Sequence, residues 1–417
     1  MTETRDSDGA AGGGFDPALL NPPWPFYEQL RGHAPVFKVD ALGFWLVTRY
    51  ADVDLVLKDP DSFSNQFPHR FGTGLSFLPA TPAKEAAHAK GYRWEPTLFF
   101  SDGADHRRHR MAVQQAFSAR RVRQLEGLVQ RLCDEIIDGL DTSGPIDFAK
   151  EVAFELPTMV IGEALGVAVA DRPRFRVWAD AVVTRLGEQL TEEQDIALIE
   201  HYVQAQNYFA AEIARRQHEP TDDLLSDLVT AHLQGEQPLS LEELLAIVTI
   251  LPVAGTETSA GLMGMAFHHL LEHPDQMDRC RRDPAYLDGV IEETLRQQSP
   301  IQAWFRRATR EVELSGVTIP RDEMVLVVLA SANRDEAKWS CPAQFQSDRA
   351  DIKDHLAFGR GRHYCVGAAL ARAEARIAIA TMLDRFGDIR LAPGAEPAHR
   401  PNLVHRMLET LPVLLRA

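Results

Sequence analysis

The sequence predicts a mainly α-helical fold with a small β portion, and three observations carry that expectation. Up to about residue 300 most of the chain reads as helices with short breaks. After Pro300 the texture changes: "RRATREVELSGVTIPRDEMVLVVLAS" alternates and sets β-branched residues around turn signals, the mark of short strands. Helical periodicity then returns in "AALARAEARIAIATMLDRF" (Ala368–Phe386), and the closing "RPNLVHRMLETLPVLLR" reads as extended.

The opening "MTETRDSDGAAGGGFDP" is polar and Gly-rich, without the basic region and apolar run of a signal peptide. Residues 1–14 are therefore expected to be a flexible tail, and residues 15–417 a single domain. "FWLVTRY" (Phe44–Tyr50) has strand composition, and "DVDLVLKD" after it starts a helix. From Phe63 to Ser101 the chain is irregular, broken by Pro68, Pro79, Pro82 and Pro96; so long a stretch is usually functional or mobile. Helices follow at roughly 104–117, 119–139, 148–166, 171–187, 193–216 and 221–233.

The next helix has its own start signal, a capping box of Ser240 and Glu243, and runs to Glu272 before His273–Pro274. At 1.5 Å per residue it is roughly 50 Å long. Its apolar character places it across the centre of the domain. Yet "ILPVAGTETSA" puts Pro252 and Gly255 near its middle, although an interior proline removes a backbone hydrogen bond and costs about 3 kcal/mol.

Composition narrows the function. With 417 residues, 45% hydrophobic and 25% charged, the chain is an ordinary globular protein. A net charge of -16 argues against general binding to nucleic acid or an anionic membrane. Cys133, Cys280, Cys341 and Cys365 form no CxxC pair, which suits neither a zinc knuckle nor a disulfide framework but fits a reducing cytosol. No uninterrupted apolar run reaches the ~18–20 residues of a membrane span. A cytoplasmic protein without a membrane span is expected.

The most informative segment is "HLAFGRGRHYCVGAALARAEAR". Cys365 lies behind a turn, Gly359-Arg360-Gly361, and ahead of a helix whose N–H groups and positive end favour a thiolate. Gly361 and Gly367 allow the backbone close to a flat partner. Such a thiolate suits a metal such as iron. The plain alternative is a buried cysteine packing as a small hydrophobe.

The segment resembles the haem loop of the cytochrome P450 family, F-G-x-G-x-H-x-C-x-G, at every fixed position: Phe358, Gly359, Gly361, His363, Cys365 and Gly367. The resemblance implies the cytochrome P450 fold, with haem b between the long central helix and the cysteine loop and its helix. It makes Cys365 the axial iron ligand. "AGTET" matches the family's A-G-x-(D/E)-T and puts Ala254, Gly255, Glu257 and Thr258 over the haem. There Gly255 leaves room for a diatomic ligand, Thr258 bonds back to the Ala254 carbonyl and opens a groove, and Glu257 relays protons. "EETLR" matches E-x-x-R, a buried structural pair of Glu293 and Arg296. The family's third member of that pair is an arginine or histidine where "CPAQF" has Gln344, which leaves the third partner open. His106 and Arg110 match H-x-x-x-R, and with Arg306 of "RRAT" (preferred over Arg307) and His363 they would hold the haem carboxylates.

Similarity runs from about Asp16 onward and includes "AFSARRVRQLE" and "ANRDEAKW"; Pro252 is the main departure. It implies a monooxygenase that hydroxylates, or otherwise oxidises, a small-to-medium apolar substrate with O2. Electrons would come from NAD(P)H through ferredoxin reductase and ferredoxin. The matching pocket stretches contribute Phe71, Phe77, Leu98, Phe99, Val253, Ala254, Ile301, Trp304 and Val404, with Gln302 as a polar anchor. Arg107, Arg108, Arg360, Arg362 and Arg372 would steer an acidic electron donor. A monomer is expected. The alternatives are a peroxide-driven peroxygenase and a haem sensor or carrier without turnover; the Glu257–Thr258 pair, which serves proton delivery, argues against both.

Overall fold

The computed structural model describes residues 22–40, 42–66, 80–117, 119–187, 190–234, 238–400 and 402–416. The tail expected at 1–14 and the pocket candidates Phe71 and Phe77 lie outside the described residues.

The first half alternates early strands with helices: α1 (Trp24–His33), β1 (Val36–Val39), β2 (Phe44–Val47), α2 (Tyr50–Lys58), β3 (Phe63–Ser64) and α3 (Pro82–His88). Helices then dominate: α4 (Gly103–Ala116), α5 (Ala119–Asp138), a short β4 (Ile146–Asp147), α6 (Glu155–Ala164), α7 (Arg172–Gly187), α8 (Glu192–His218), α9 (Leu224–Gln234), α10 (Leu241–Glu272), α11 (Pro274–Arg282) and α12 (Pro284–Gln298). The change of texture after Pro300 becomes β5 (Trp304–Ala308), β6 (Val312–Leu314), β7 (Val317–Ile319) and β8 (Met324–Val327). A short α13 (Leu329–Ala332) leads to α14 (Ala368–Arg385), and β9 (Asp388–Leu391), β10 (Ala398–His399), β11 (Leu408–Thr410) and β12 (Pro412–Arg416) close the chain.

The helix expected over 148–166 is divided: a wider π turn at Ala149–Phe154 precedes α6. Pro157, which has no N–H to donate, thereby sits in the first turn of α6, where none is required. The stretch read as irregular contains α3, with Thr81 as N-cap accepting from the Lys84 amide and Pro82 at the first helical position. "TPAKE" carried that start signal.

α10 organises the helical part. Its capping box closes both ways, the Glu243 amide to the Ser240 hydroxyl at 3.1 Å and the Ser240 amide to the Glu243 carboxylate at 2.7 Å. The helix continues without a break through Pro252, which leaves the Val248 carbonyl without its usual donor. α10 packs against α6, α7, α8, α12 and α14, so tertiary contacts outweigh that lost bond. It is the one described helix long and apolar enough to cross a membrane, and 83% of its most apolar window is buried inside the molecule.

A five-stranded sheet lies beside the helices in the order β1-β2-β8-β5-β3, with β2 and β8 parallel and the other pairs antiparallel. One face packs Val47, Val325 and Val327 with α2, and the other packs Leu46, Phe305 and Leu326 with α1. β5 therefore sends successive side chains to opposite faces, which decides the fate of its two arginines.

Several histidines are half-buried away from the cysteine. His269 stacks on Phe345 at 3.6 Å and on His273 at 4.2 Å. Burial pushes His88 and His269 down to about 4, and His399 to about 3. A histidine held neutral in the fold takes up a proton more readily when unfolded. Its contribution is thus present above the ordinary value of 6.5 and is lost as pH falls from there toward 4. The urea midpoint, followed by circular dichroism, is expected to be lower at pH 5 than at pH 7; equal midpoints would refute the assignment.

Candidate active site

Cys365 sits between a helical turn at Gly361–His363 and the start of α14. The loop is tied by its own backbone: the Cys365 amide donates to the Phe358 carbonyl at 3.0 Å and the Gly359 amide to the Leu356 carbonyl at 2.8 Å. Gly361 has φ 71°, and a Cβ there would stand 2.8 Å from the Leu57 carbonyl oxygen. Its lack of a side chain lets the loop meet the end of α2. A Cβ on Gly367 would make only an ordinary 4.0 Å contact with the Cys365 sulfur.

The groups expected to favour a thiolate are in place, against the cost of burial. Burial pushes the Cys365 thiol up, and this outweighs the Gly367 and Ala368 amides, Arg110 and Arg372, which favour the anion. The helix end alone therefore does not ionise the sulfur; a coordinating metal cation would.

The cationic side is assembled from three elements: α4, the cysteine loop and β5. The His106 ring of α4 lies 3.9 Å from the His363 ring of the loop, and burial pushes His106 down to about 4. Arg110, one turn further along α4, has no ion pair or hydrogen bond among the described residues. Arg306 on β5 is 4% exposed, its Nη1 donates to the Phe305 carbonyl, and burial pushes it down to about 10. Arg307 points the other way and pairs with Asp322 at 2.6 Å, which separates the two arginines that "RRAT" left ambiguous.

Sequence reading missed Asp102, which bridges this group. Its carboxylate accepts from the Ser64 hydroxyl at 2.6 Å and the Asn65 amide at 2.9 Å, and pairs with His363 at 3.3 Å. Burial opposes its ionisation, but these bonds hold it at about 2. Its position just ahead of α4, four residues before His106, was the available signal. A guanidinium in the interior without a carboxylate calls for an anion. A sulfur ligand beside such cations fits haem, whose iron takes a thiolate and whose two carboxylates take arginine and histidine.

On α10, the Thr258 hydroxyl donates to the Ala254 carbonyl at 2.7 Å. A Cβ on Gly255 would meet nothing within 4 Å, so the helix surface is open there. Glu257 is 3% exposed and pairs with Arg400 at 3.1 Å. Arg400 also reaches Thr184 at 3.2 Å and Asp180 at 3.6 Å, both on α7. That link joins residues far apart in sequence and left no local signal.

Val253 and Phe99 share an apolar cluster with Val182, Tyr202, Ile250 and Trp94, and a cavity beside it is lined by Trp94, Phe100, Tyr202, Thr249 and Ile250. The Trp304 ring lies 6.3 Å from Phe99 and 6.4 Å from Phe100, and Ile301 forms a bridge with His405. Two pocket candidates pack in other clusters. Leu98, at φ 43°, is buried in the main helical core, and Val404 packs with Tyr27, Leu30 and Phe305 against the sheet. The Gln302 amide nitrogen is taken by the carbonyls of Asn402 and His405, which leaves only its oxygen as a polar anchor.

Residues 175–408 match the family description "Cytochrome P450". The chain is 37% identical over 406 residues to "Cytochrome P450 107B1" of Saccharopolyspora erythraea, and the match covers 96% of both chains. The chain belongs to the cytochrome P450 family. It is 35% identical to "Vitamin D(3) 25-hydroxylase" of Pseudonocardia autotrophica, again over 96% of each chain. The solved structure of P450BioI in complex with a hexadec-9Z-enoic acid ligated acyl carrier protein superimposes with a TM-score of 0.84 at 30% identity, covering 96% of this chain and 99% of that one. As a cytochrome P450 the protein is a haem-dependent monooxygenase, an oxidoreductase that incorporates molecular oxygen.

Two further groups of expected residues are placed in this cytochrome P450. Glu293 and Arg296 pair at 2.7 Å with no exposure, and Arg349 supplies the third partner, its Nε 2.9 Å from Glu293. Residue 344 takes part only through its backbone carbonyl, which accepts from both arginines, so the glutamine there removes nothing. Of the five arginines expected to steer a donor, Arg108 is engaged by Glu243, Arg372 by Glu292 and Arg360 by Asp54. Arg107 and Arg362 are exposed and have no ion pair among the described residues.

Proposed function

We propose that this cytochrome P450 hydroxylates a small-to-medium apolar substrate, as a cytoplasmic monomer supplied with electrons from NAD(P)H through ferredoxin reductase and ferredoxin. Haem, when bound, supplies the redox chemistry with O2. Cys365 is the residue to ligate its iron; Arg110, Arg306, His106 and His363 are those to hold its carboxylates. On the opposite side, the Thr258 hydroxyl is fixed by its bond to the Ala254 carbonyl, so its oxygen lone pairs face the open surface beside Gly255 and accept a proton donor there. Glu257 accepts protons at its carboxylate and passes them inward, and Arg400 orients it. Phe99, Val253, Ile301 and Trp304 exclude water and seat the apolar substrate. Arg107 and Arg362 are the cations left to meet an acidic ferredoxin. A relative named for vitamin D(3) 25-hydroxylation supports an apolar substrate.

The observation that carries this reading is the Thr258–Ala254 bond with Glu257 one residue away, an arrangement for delivering protons that a peroxide-driven enzyme does not need. With ferredoxin and its reductase, Thr258→Ala is expected to keep haem but to lower product per NADH by about 10- to 100-fold, the electrons appearing as hydrogen peroxide. Unchanged coupling would remove the relay role. Product formed from hydrogen peroxide as fast as with ferredoxin would favour a peroxygenase instead.

A further inference from the structure

Next to Ile301 lies a group of polar atoms that the proposed reaction does not use. Gln302, Asn402 and His405 are 2%, 3% and 5% exposed. They are knitted together: the Gln302 amide nitrogen donates to the Asn402 carbonyl at 2.9 Å and the His405 carbonyl at 3.2 Å, while Asn402 Oδ1 accepts from the Val404 and His405 amides at 2.9 and 2.8 Å. After those bonds are made, Gln302 Oε1, Asn402 Nδ2 and His405 Nδ1 have no partner among the described residues. Buried polar atoms nearly always have one, and three orphans in one small region are unusual.

The group adjoins the site. Ile301 bridges to His405, and Trp304, three residues on, begins β5 with its ring 6.3 Å from that of Phe99. Pro300 and Arg406 abut α10 at Gly261, where a Cβ would stand 2.7 Å from the Arg406 carbonyl oxygen, one turn beyond Thr258. Burial, with Arg400 nearby, holds His405 neutral, down to about 4.

We infer that Gln302, Asn402 and His405 form a polar subsite that binds a neutral oxygen of the substrate, a hydroxyl or carbonyl, on an otherwise apolar skeleton. The inference rests on the substrate reading given above and specifies it. The amide nitrogen of Asn402 donates, the amide oxygen of Gln302 accepts, and the neutral imidazole does either according to its tautomer. Asn402 Nδ2 is set as a fixed donor, since Asn402 Oδ1 is held by two amides, and the His405 ring, without a bond at Nδ1 among the described residues, is the group that turns to admit the oxygen. None of the three groups carries a charge to repay the desolvation of a carboxylate or ammonium, so the subsite selects neutral ligands.

The test uses the haem-loaded protein and the spin-state shift on titration with two matched pairs: testosterone against androstane, and cyclododecanone against cyclododecane. Wild type is expected to bind the oxygenated member of a pair about tenfold tighter or more. Gln302→Leu and His405→Phe, each tested separately, are expected to narrow that ratio to about twofold while binding of the hydrocarbon is kept. No preference in wild type for either pair, or a preference retained in both variants, overturns the subsite. A normal carbon-monoxide spectrum in all three proteins shows that the haem site is intact, so those outcomes concern the subsite alone. Absence of the thiolate band in wild type would instead sink the haem-thiolate reading and the subsite with it.

Discussion

Cys365→Ser is expected to abolish the red-shifted Soret band of the reduced, carbon-monoxide-bound protein, together with all product formation. Serine has nearly the shape of cysteine, and the bonds that set the loop are made by the backbone, so the fold around residue 365 is retained. What is lost is the sulfur. Burial already holds the cysteine thiol up, and only a metal would draw off its proton. A serine hydroxyl ionises far less readily and is a poor match for a site that suits soft ligands. Electron donation from the axial thiolate, which favours O–O cleavage in this family, disappears with it. A histidine-type band in wild type, or an unchanged band in the variant, would overturn the assignment.

The second large effect lies behind the site. Glu293→Gln is expected to destabilise the protein by about 3–5 kcal/mol, because two buried guanidiniums then face a neutral amide. Against the roughly 5–15 kcal/mol that holds a typical domain together, that is enough to lower the thermal midpoint sharply and to release haem on mild heating. Gln344→Ala provides the contrast. Only its backbone carbonyl meets Arg296 and Arg349, so its effect is expected to stay within about 0.5 kcal/mol. Equal losses in the two variants would show that the side chain at 344, not Arg349, completes the group.

Where local chemistry decided the outcome, the sequence was readable. The capping box of Ser240 and Glu243 forms as expected, because its partners are three residues apart and need only a helix start. Thr258 reaches back one turn to Ala254 for the same reason. The α3 start at Thr81–Pro82 was equally local, but the surrounding prolines obscured it. The packing of Gly361 and Val404 was not readable, because both depend on what folding brings near: the Leu57 carbonyl in one case, the cluster that holds Tyr27 and Leu30 in the other.

By itself the sequence determined the mainly helical class, the presence of short strands after Pro300, the family, and the residue types available for a thiolate haem site. These follow from periodicity and from motifs in which the reacting groups are close along the chain. Only the tertiary structure decided which arginine of "RRAT" is buried, that Asp102 joins His363, that Arg349 completes the Glu293 group, and that Arg400 ties Glu257 to α7. Each is a charged contact between distant segments. Its strength depends on burial and on partners that folding alone brings together, and neither is written in the neighbouring residues.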